Sequence, residues 1–342
     1  MVAIEPVSSL SSVSARPSPL LHAIVNPAAG NGRAGKRWPG YARALAAAGF
    51  SVQTQVTTSA GEATIMARQF AQQDVETILC VGGDGTANEV VNGLIANDLP
   101  VNPRTRLALI PCGTGKDLAR TLGTRTIEQT IQALRDDSSA LIDVGRIQYI
   151  DSRTRHLESR YFANVADTGI GAATAARINS SSKALGGLAS YLKGAVHSIV
   201  VFSPWGVDVE VDGQPLYVGD AGMVVFANGR FFAGGMLVAP DASVCDGLLD
   251  IFVLEGVGKR ELLTSLLPRV YRGRHVGRPG VRHIRGASAT VRSSVDMLIE
   301  MDGEQVGMAP ITVDVVREAL HVVASPGALA RAGGCGCSAN SR

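Results

Sequence analysis

Val81-Gly82-Gly83-Asp84-Gly85-Thr86-Ala87-Asn88-Glu89 sets three glycines around one carboxylate. It follows an apolar run, Thr77 to Cys80, and precedes a helix-period run, Val90, Val91, Leu94 and Ile95. Glycines let the backbone approach a ligand closely and take φ above zero, so amide N–H groups can converge on an anion. A helix starting there adds unpaired N–H groups and the positive end of its dipole. The pattern suits a phosphate. Asp84 separates it from a passive anion cradle, because a carboxylate repels phosphate unless a metal ion or a transferable proton lies between them. The loop reads as a nucleotide site at which chemistry occurs. Thr86 and Glu89 also fit a capping box, which gives those two residues a purely helical reading.

Two more loops repeat this logic. Asn26-Pro27-Ala28-Ala29-Gly30-Asn31-Gly32-Arg33-Ala34-Gly35-Lys36 joins strand text to helix text. Gly30 to Lys36 is one residue short of a P-loop, since Arg37 stands where Ser or Thr would hold Mg²⁺. A glycine-rich phosphate loop of another kind is expected. Leu109-Ile110-Pro111-Cys112-Gly113-Thr114-Gly115-Lys116-Asp117 again runs from a strand through Gly-Thr-Gly to an acidic helix start. Lys116 adds a charge suited to phosphate; a plain N-cap by Thr114 is the simpler reading.

The elements that must hold these loops alternate. Strands are expected at 21–25, 51–56, 78–81 and 107–110, with helices at 38–48, 61–72, from Asn88, and near Asp117 and Ile127. Helices between short buried strands imply an open parallel α/β sheet, whose ligands lie beyond the carboxyl ends of the strands. After Asp143 period-2 alternation takes over, as in Val207-Asp208-Val209-Glu210-Val211 and Met297-Leu298-Ile299-Glu300, which reads as an antiparallel sandwich. Helical stretches interrupt it at about 183–200 and 258–272. The division expected is a mobile leader over 1–20, a nucleotide-binding α/β domain over 21–142, a β-sandwich acceptor domain over 143–309 and a mobile tail over 325–342.

At 342 residues with 46% hydrophobic composition, the chain has the makings of two globular domains. A net charge of +2 gives no reason to expect nucleic acid as partner. Five scattered cysteines form neither a disulfide framework nor a zinc pattern; Cys80 and Cys112 lie in apolar text and read as buried thiols. No apolar run reaches the roughly 18 residues of a membrane span. A cytoplasmic protein that at most touches a membrane surface is expected.

The three loops, in this order, resemble the catalytic domain of the diacylglycerol kinase family, specifically the soluble bacterial lipid kinases similar to sphingosine and ceramide kinases; NAD kinases share the Gly-Gly-Asp-Gly-Thr loop more distantly. The second half agrees through Asn164-Val165-Ala166-Asp167-Thr168-Gly169-Ile170-Gly171, Ala239-Pro240-Asp241-Ala242-Ser243-Val244-Cys245-Asp246-Gly247-Leu248 and Asp302-Gly303-Glu304. The resemblance implies a Rossmann-like first domain of the NAD kinase and lipid kinase type, with residues 310–324 returning to it. It implies ATP as donor, lined by Asn26, Pro27, Ala28, Ala29, Gly30, Thr57, Gly82, Gly83, Asp84, Gly85, Thr86, Ala87, Asn88 and Thr114. It also implies a structural Mg²⁺ on Asp246 with the Ser243 and Leu248 carbonyls, and Glu304 as general base, with Asp302 and Asp84 counted among the catalytic acids. The family usually has Asn where this chain has Lys116.

Some residues keep two readings. Asp302-Gly303 is the commonest type I′ hairpin signal, so Asp302 is either a turn former or part of the chemistry. The stretch 259–285 carries Lys259, Arg260, Arg269, Arg272, Arg274, Arg278, Arg282 and Arg285 against Glu261 alone. It is either a core-facing helix with a solvated basic face or a surface that rests on anionic lipid. Arg153, Arg155, His156 and Arg160 read as the charged edge of a hairpin, without chemistry. The expectation is an ATP-dependent lipid kinase acting most simply on diacylglycerol, with a homodimer permitted by an exposed sandwich edge. Sphingoid-base or ceramide kinase, an NAD-kinase-type enzyme using Asp84 as base, and a non-catalytic nucleotide or lipid sensor are its alternatives.

Overall fold

A computed structural model of the chain describes residues 18–113, 115–172 and 204–331. Thr114, the helix expected at 183–200, Cys335 and Cys337 lie outside the described residues. Short β-branched and leucine-rich runs form the first strands: β1 (Leu20–Val25), β2 (Ser51–Val56), β3 (Thr77–Gly82), the paired fragments β4 (Ile95–Ala96) and β5 (Leu99–Pro100), and β6 (Arg106–Pro111). β2, β1, β3 and β6 pair parallel in that order. The helices between them are α1 (Arg33–Ala47), α2 (Glu62–Gln72), α3 (Asp84–Leu94), α4 (Asp117–Thr121) and α5 (Ile127–Arg135). One sheet face packs Ile24, Ile78, Cys80 and Leu107 under α2 and α3; the other packs Leu21, Val25, Leu79, Val81 and Ile110 under α1 and α5. Each such fully buried aliphatic side chain contributes roughly 1.5–3 kcal/mol before entropy is counted.

The second half builds β7 (Ser139–Asp151), β8 (Leu157–Phe162), β9 (Val165–Gly169), β10 (Trp205–Val211), β11 (Gln214–Ala227), β12 (Phe231–Phe232), β13 (Met236–Leu237), β14 (Leu249–Glu255), β15 (Val281–Gly286), β16 (Ser288–Ser293), β17 (Leu298–Met301) and β18 (Glu304–Val323). The pairings among the larger of these strands are antiparallel, and Val209, Phe226, Ile251, Val291, Ile299 and Val313 fill the layer between. The architecture is an α/β domain followed by an antiparallel β-rich sandwich domain.

β18 joins the two. It pairs with β17 and β16 early in its length, runs antiparallel to β7 throughout, and meets β6 in parallel at Val322 and Leu107. Its register against β7 breaks between Met308 and Thr312 and again between Val316 and Leu320, which bends one strand across both units. The chain then turns into a short helix, Pro326–Arg331, within the stretch expected as a mobile tail. Leu329 of that helix packs into the same core as Leu118 and Leu122, so this part is ordered.

Two helices start earlier than the text suggests. α1 begins at Arg33 and carries Pro39 within it. α3 begins at Asp84 because the capping box does not form: Thr86 Oγ1 accepts from Asn26, and Glu89 reaches the Ala63 N–H of α2. Cys80 and Cys112 are buried free thiols, whereas Cys245 is disulfide-bonded.

Candidate functional site

The loops after β1, β3 and β6 converge at the carboxyl ends of those strands. Asn26 N–H donates to the Val81 carbonyl, and the Cys112 and Gly113 N–H groups donate to Gly82 at 2.7 and 3.0 Å. Asn26 Nδ2 donates to Thr86 Oγ1 at 2.9 Å, while its Oδ1 accepts the Ala28 N–H at 3.1 Å. The approach is too close for side chains at two places. A Cβ on Gly113 would stand 2.4 Å from the Gly83 Cα, and one on Gly30 2.4 Å from the Cys112 carbonyl oxygen. Glycine is needed there for the contact between loops.

Around this floor the charge is positive. Lys116 is lowered by burial, and the charges acting on it include Arg37, Arg33 and Arg120. Arg120 is held by Asp117, while Lys116, Arg33 and Arg37 gather as three cations that suit a polyphosphate. Thr57 closes one side at the end of β2, buried, with its N–H on the Val25 carbonyl at 2.9 Å. Thr86, Ala87 and Asn88 are buried and face inward, so they shape the loop from behind.

Asp84 does not point at open space. Its carboxylate accepts the Asp117 N–H at 3.0 and 3.1 Å and the Leu118 N–H at 3.4 Å, capping α4 from another loop. Burial, then the neighbouring Asp117, raises it to about 8. Asp117 in turn accepts from Arg120 at 2.8 Å and from the Gly234 N–H at 2.6 Å, tying α4 to the second domain.

The turn between β17 and β18 brings the opposite wall. Asp302 (φ 47°) and Gly303 (φ 96°) make the left-handed pair expected of a type I′ hairpin. Asp302 is also buried and fully engaged. Its Oδ1 accepts from the Val165 N–H at 3.0 Å; its Oδ2 accepts from the Ala163 N–H at 3.2 Å and Asn88 Nδ2 at 3.0 Å. Glu304 emerges beyond this clamp against the first turn of α3, and a Cβ on Gly85 would lie 2.9 Å from its Oε1. Burial raises Glu304 above the usual carboxylate range; the nearby Arg160 guanidinium pulls it back.

Arg160 is the residue that sequence reasoning missed. Its sequence reads as part of a charged hairpin edge, yet its guanidinium bridges Asn88 Oδ1 at 2.9 Å and Glu304 Oε2 at 3.5 Å. Nothing in its local text announces this, because the contacts come from β8 folding against α3. Asp143 was missed as well: it accepts the Gly247 N–H at 2.7 Å and the Glu318 N–H at 2.8 Å, pinning the Asp246 loop to β18.

That loop does not fit a metal ion here. Asp246 pairs with Arg285 and accepts the Leu248 N–H at 3.1 Å, and Arg317 packs on Gly247. Cationic side chains occupy the surroundings that a magnesium ion would need, and among the described residues no three acidic, histidine or cysteine side chains converge. The Asp84 carboxylate, turned onto backbone amides, offers no better site.

The diacylglycerol kinase catalytic domain family matches residues 21–147, and the YegS C-terminal NAD kinase beta sandwich-like domain matches residues 164–324. The chain is 30% identical over 303 residues to a diacylglycerol kinase of Bacillus subtilis (strain 168), across 88% of this chain and 94% of that protein. It is 28% identical over 303 residues to one of Mycobacterium tuberculosis (strain ATCC 25618 / H37Rv), with the same two coverages. A candidate diacylglycerol kinase structure from Bacillus anthracis str. Sterne superposes with a TM-score of 0.70 at 26% identity, over 92% of this chain and 100% of that one.

Proposed function

Because this chain belongs to the diacylglycerol kinase family, a family of lipid kinases with an alcohol acceptor, we propose that it moves the γ-phosphoryl group of ATP onto the free hydroxyl of diacylglycerol, giving phosphatidic acid. Phosphoryl transfer asks the protein mainly for positioning and charge neutralisation. The amides of loops 26–30 and 82–86 hold the phosphates, with Arg33, Arg37 and Lys116 offsetting their charge. A magnesium ion brought by the nucleotide would supply charge neutralisation; neither Asp84 nor the Asp246 loop is assigned to it.

Glu304 accepts the acceptor's proton. A carboxylate raised by burial is a stronger base near neutral pH than a solvated one, and Arg160 keeps it oriented. Asp302 and Asn88 serve as positioning residues, since their polar atoms are already taken up by each other and the backbone. The observation that carries the reading is the Glu304 carboxyl standing beside Gly85 of the phosphate loop. An NAD-kinase-type base at Asp84 is disfavoured, because its oxygens already accept the Asp117 and Leu118 amides.

The test is Glu304→Gln assayed with radiolabelled ATP on diacylglycerol, sphingosine, ceramide and NAD in parallel. Label should enter diacylglycerol with the native enzyme. The variant should lose about 10²–10⁴-fold in turnover with ATP affinity near normal. Comparable turnover in the variant, or label in NAD alone, would overturn the reading.

No described helix is long and apolar enough to cross a membrane. Part of the basic stretch is used internally: Arg282 pairs with Glu255, Arg285 with Asp246, and Leu262 and Leu266 are buried against Ile170 and Leu254. The exposed Arg260, Arg272, Arg274 and Arg278 are left as the face proposed to rest on anionic lipid. Arg272→Gln with Arg274→Gln should weaken binding to phosphatidylglycerol vesicles.

A further inference from the structure

Behind the Asp302–Glu304 turn lies a second pair of acids that the transfer scheme leaves unused. Asp167 in β9 and Glu300 in β17 stand directly opposite each other across the antiparallel pair. Asp167 is 0% exposed and Glu300 4%. In the same cross-strand row, Val225 of β11 flanks Asp167 and Gln305 of β18 flanks Glu300. Like charges facing each other in a ladder repel, and two carboxylates in one buried site do not both ionise. The charged groups that act on Glu300 are Asp167 and then Asp302, both acidic.

The hydrogen bonds say where a proton must be. Asp167 Oδ1 accepts the Ala172 N–H at 3.0 Å. Its Oδ2 is buried and meets no N–H or O–H donor among the described residues. A proton on Glu300, to which Asp167 is hydrogen-bonded, supplies one. Glu300 Oε1 meanwhile accepts the Gly303 N–H at 2.5 Å. Gly303 is the turn residue between Asp302 and Glu304, so this one carboxyl group touches both the buried acid and the tip of the hairpin.

We propose that Asp167 and Glu300 share a single proton and that the protonated pair is a positioning device, clasping the Gly303 amide and so aiming Glu304 at Gly85. This rests on Glu304 being the base. Burial, and after it the facing Asp167, hold Glu300 well above the ordinary carboxylate range, which fits a proton kept at working pH. When that proton leaves at higher pH, two negative charges oppose each other across the ladder. Repulsion then pushes Glu300 away from Asp167, and the Gly303 amide it holds moves with it, so the hairpin loses its aim.

Glu300→Gln and Glu300→Ala separate this from a merely structural role. Gln keeps a neutral donor for Asp167 and an acceptor for Gly303; Ala keeps neither. The Gln variant should stay within about threefold of native kcat and lose the alkaline fall in kcat. The Ala variant should fall by about 10²-fold in kcat with the KM for ATP unchanged, the scale of a misplaced catalytic group. Infrared difference spectroscopy of the native protein minus Glu300→Gln should show a protonated-carboxyl C=O stretch, a readout independent of turnover. Its absence would overturn the proposal, as would full activity in Glu300→Ala or an alkaline fall that persists in Glu300→Gln. Should Glu300→Ala fail to fold, the infrared band and the Gln profile decide. Should Glu304→Gln stay active, the base assignment fails, while the band still reports on the shared proton.

Discussion

Asn88 donates a 3.0 Å hydrogen bond to Asp302 across 214 positions of sequence, both residues buried. The same side chain donates to the Tyr161 carbonyl at 2.9 Å and accepts from Arg160. One amide thus fastens the phosphate-loop helix of the first domain to the turn that carries Glu304 in the second. The two halves of the proposed transfer site are parts of one hydrogen-bonded unit, which is what in-line transfer between groups on two domains requires.

Replacing Asn88 by Ala takes one donor from each of two acceptors that keep a second, since the Ala163 N–H still reaches Asp302 and Asn92 still reaches the Tyr161 carbonyl. Losing hydrogen bonds without stranding their acceptors costs about 0.5–1.5 kcal/mol each, so Asn88→Ala should destabilise the protein by about 1–3 kcal/mol. Urea unfolding measures this. A shift below about 0.5 kcal/mol would mean that water reaches Asp302 and that the unit is looser than its geometry indicates.

Arg160 offers a prediction in pH. Burial raises Glu304 and the guanidinium opposes that rise. With Arg160→Ala the opposing charge is gone, so the carboxyl holds its proton to higher pH. A base works only when ionised, so the acidic limb of the kcat profile should move upward in pH. An unmoved or downward-shifted limb would remove Glu304 as the group that the limb reports.

Much of this arrangement could be read from the text, and the parts that could not share a cause. The three phosphate loops were legible because glycine, helix starts and strand ends lie together in sequence. The parallel pairing of the first strands followed from helices between short buried runs, whereas their order did not. Arg160, Asp143 and the Asp167–Glu300 pair were invisible because their partners sit on other strands, and no spacing rule relates β8 to α3 or β9 to β17. Thr86 and Glu89 misled for the same reason: they satisfy a local capping pattern, but Asn26 and Ala63 offer partners that only the tertiary structure reveals. Asp84 read as facing phosphate because its loop does, yet the α4 amides claim it.

Two glycines of the site should answer differently to a methyl group. On Gly85 the new Cβ meets the far end of Glu304 at 2.9 Å, which can yield by rotating. Gly85→Ala should therefore fold with near-native stability while kcat falls about tenfold or more, with the KM for ATP little changed. On Gly113 the Cβ meets the Gly83 Cα at 2.4 Å, and backbone must move. Gly113→Ala should lose both stability, by about 1–3 kcal/mol, and ATP affinity. Equal effects from the two would contradict the placement of Glu304 beside Gly85.

The Asp246 loop makes a prediction about metal. Arg285 pairs with Asp246 and lies 3.5 Å from the buried Asp250, which His283 also contacts at 2.6 Å. If the guanidinium fills the role that a cation would have, a chelator should leave the melting temperature of the nucleotide-free protein unchanged. Arg285→Ala should cost about 1–2 kcal/mol, less than a fully buried pair because Arg285 and Asp246 both keep contact with solvent. Added magnesium should recover part of that loss in the variant and nothing in the native chain. A native protein that melts lower in chelator would show instead that the loop holds an ion and that Arg285 gives way to it.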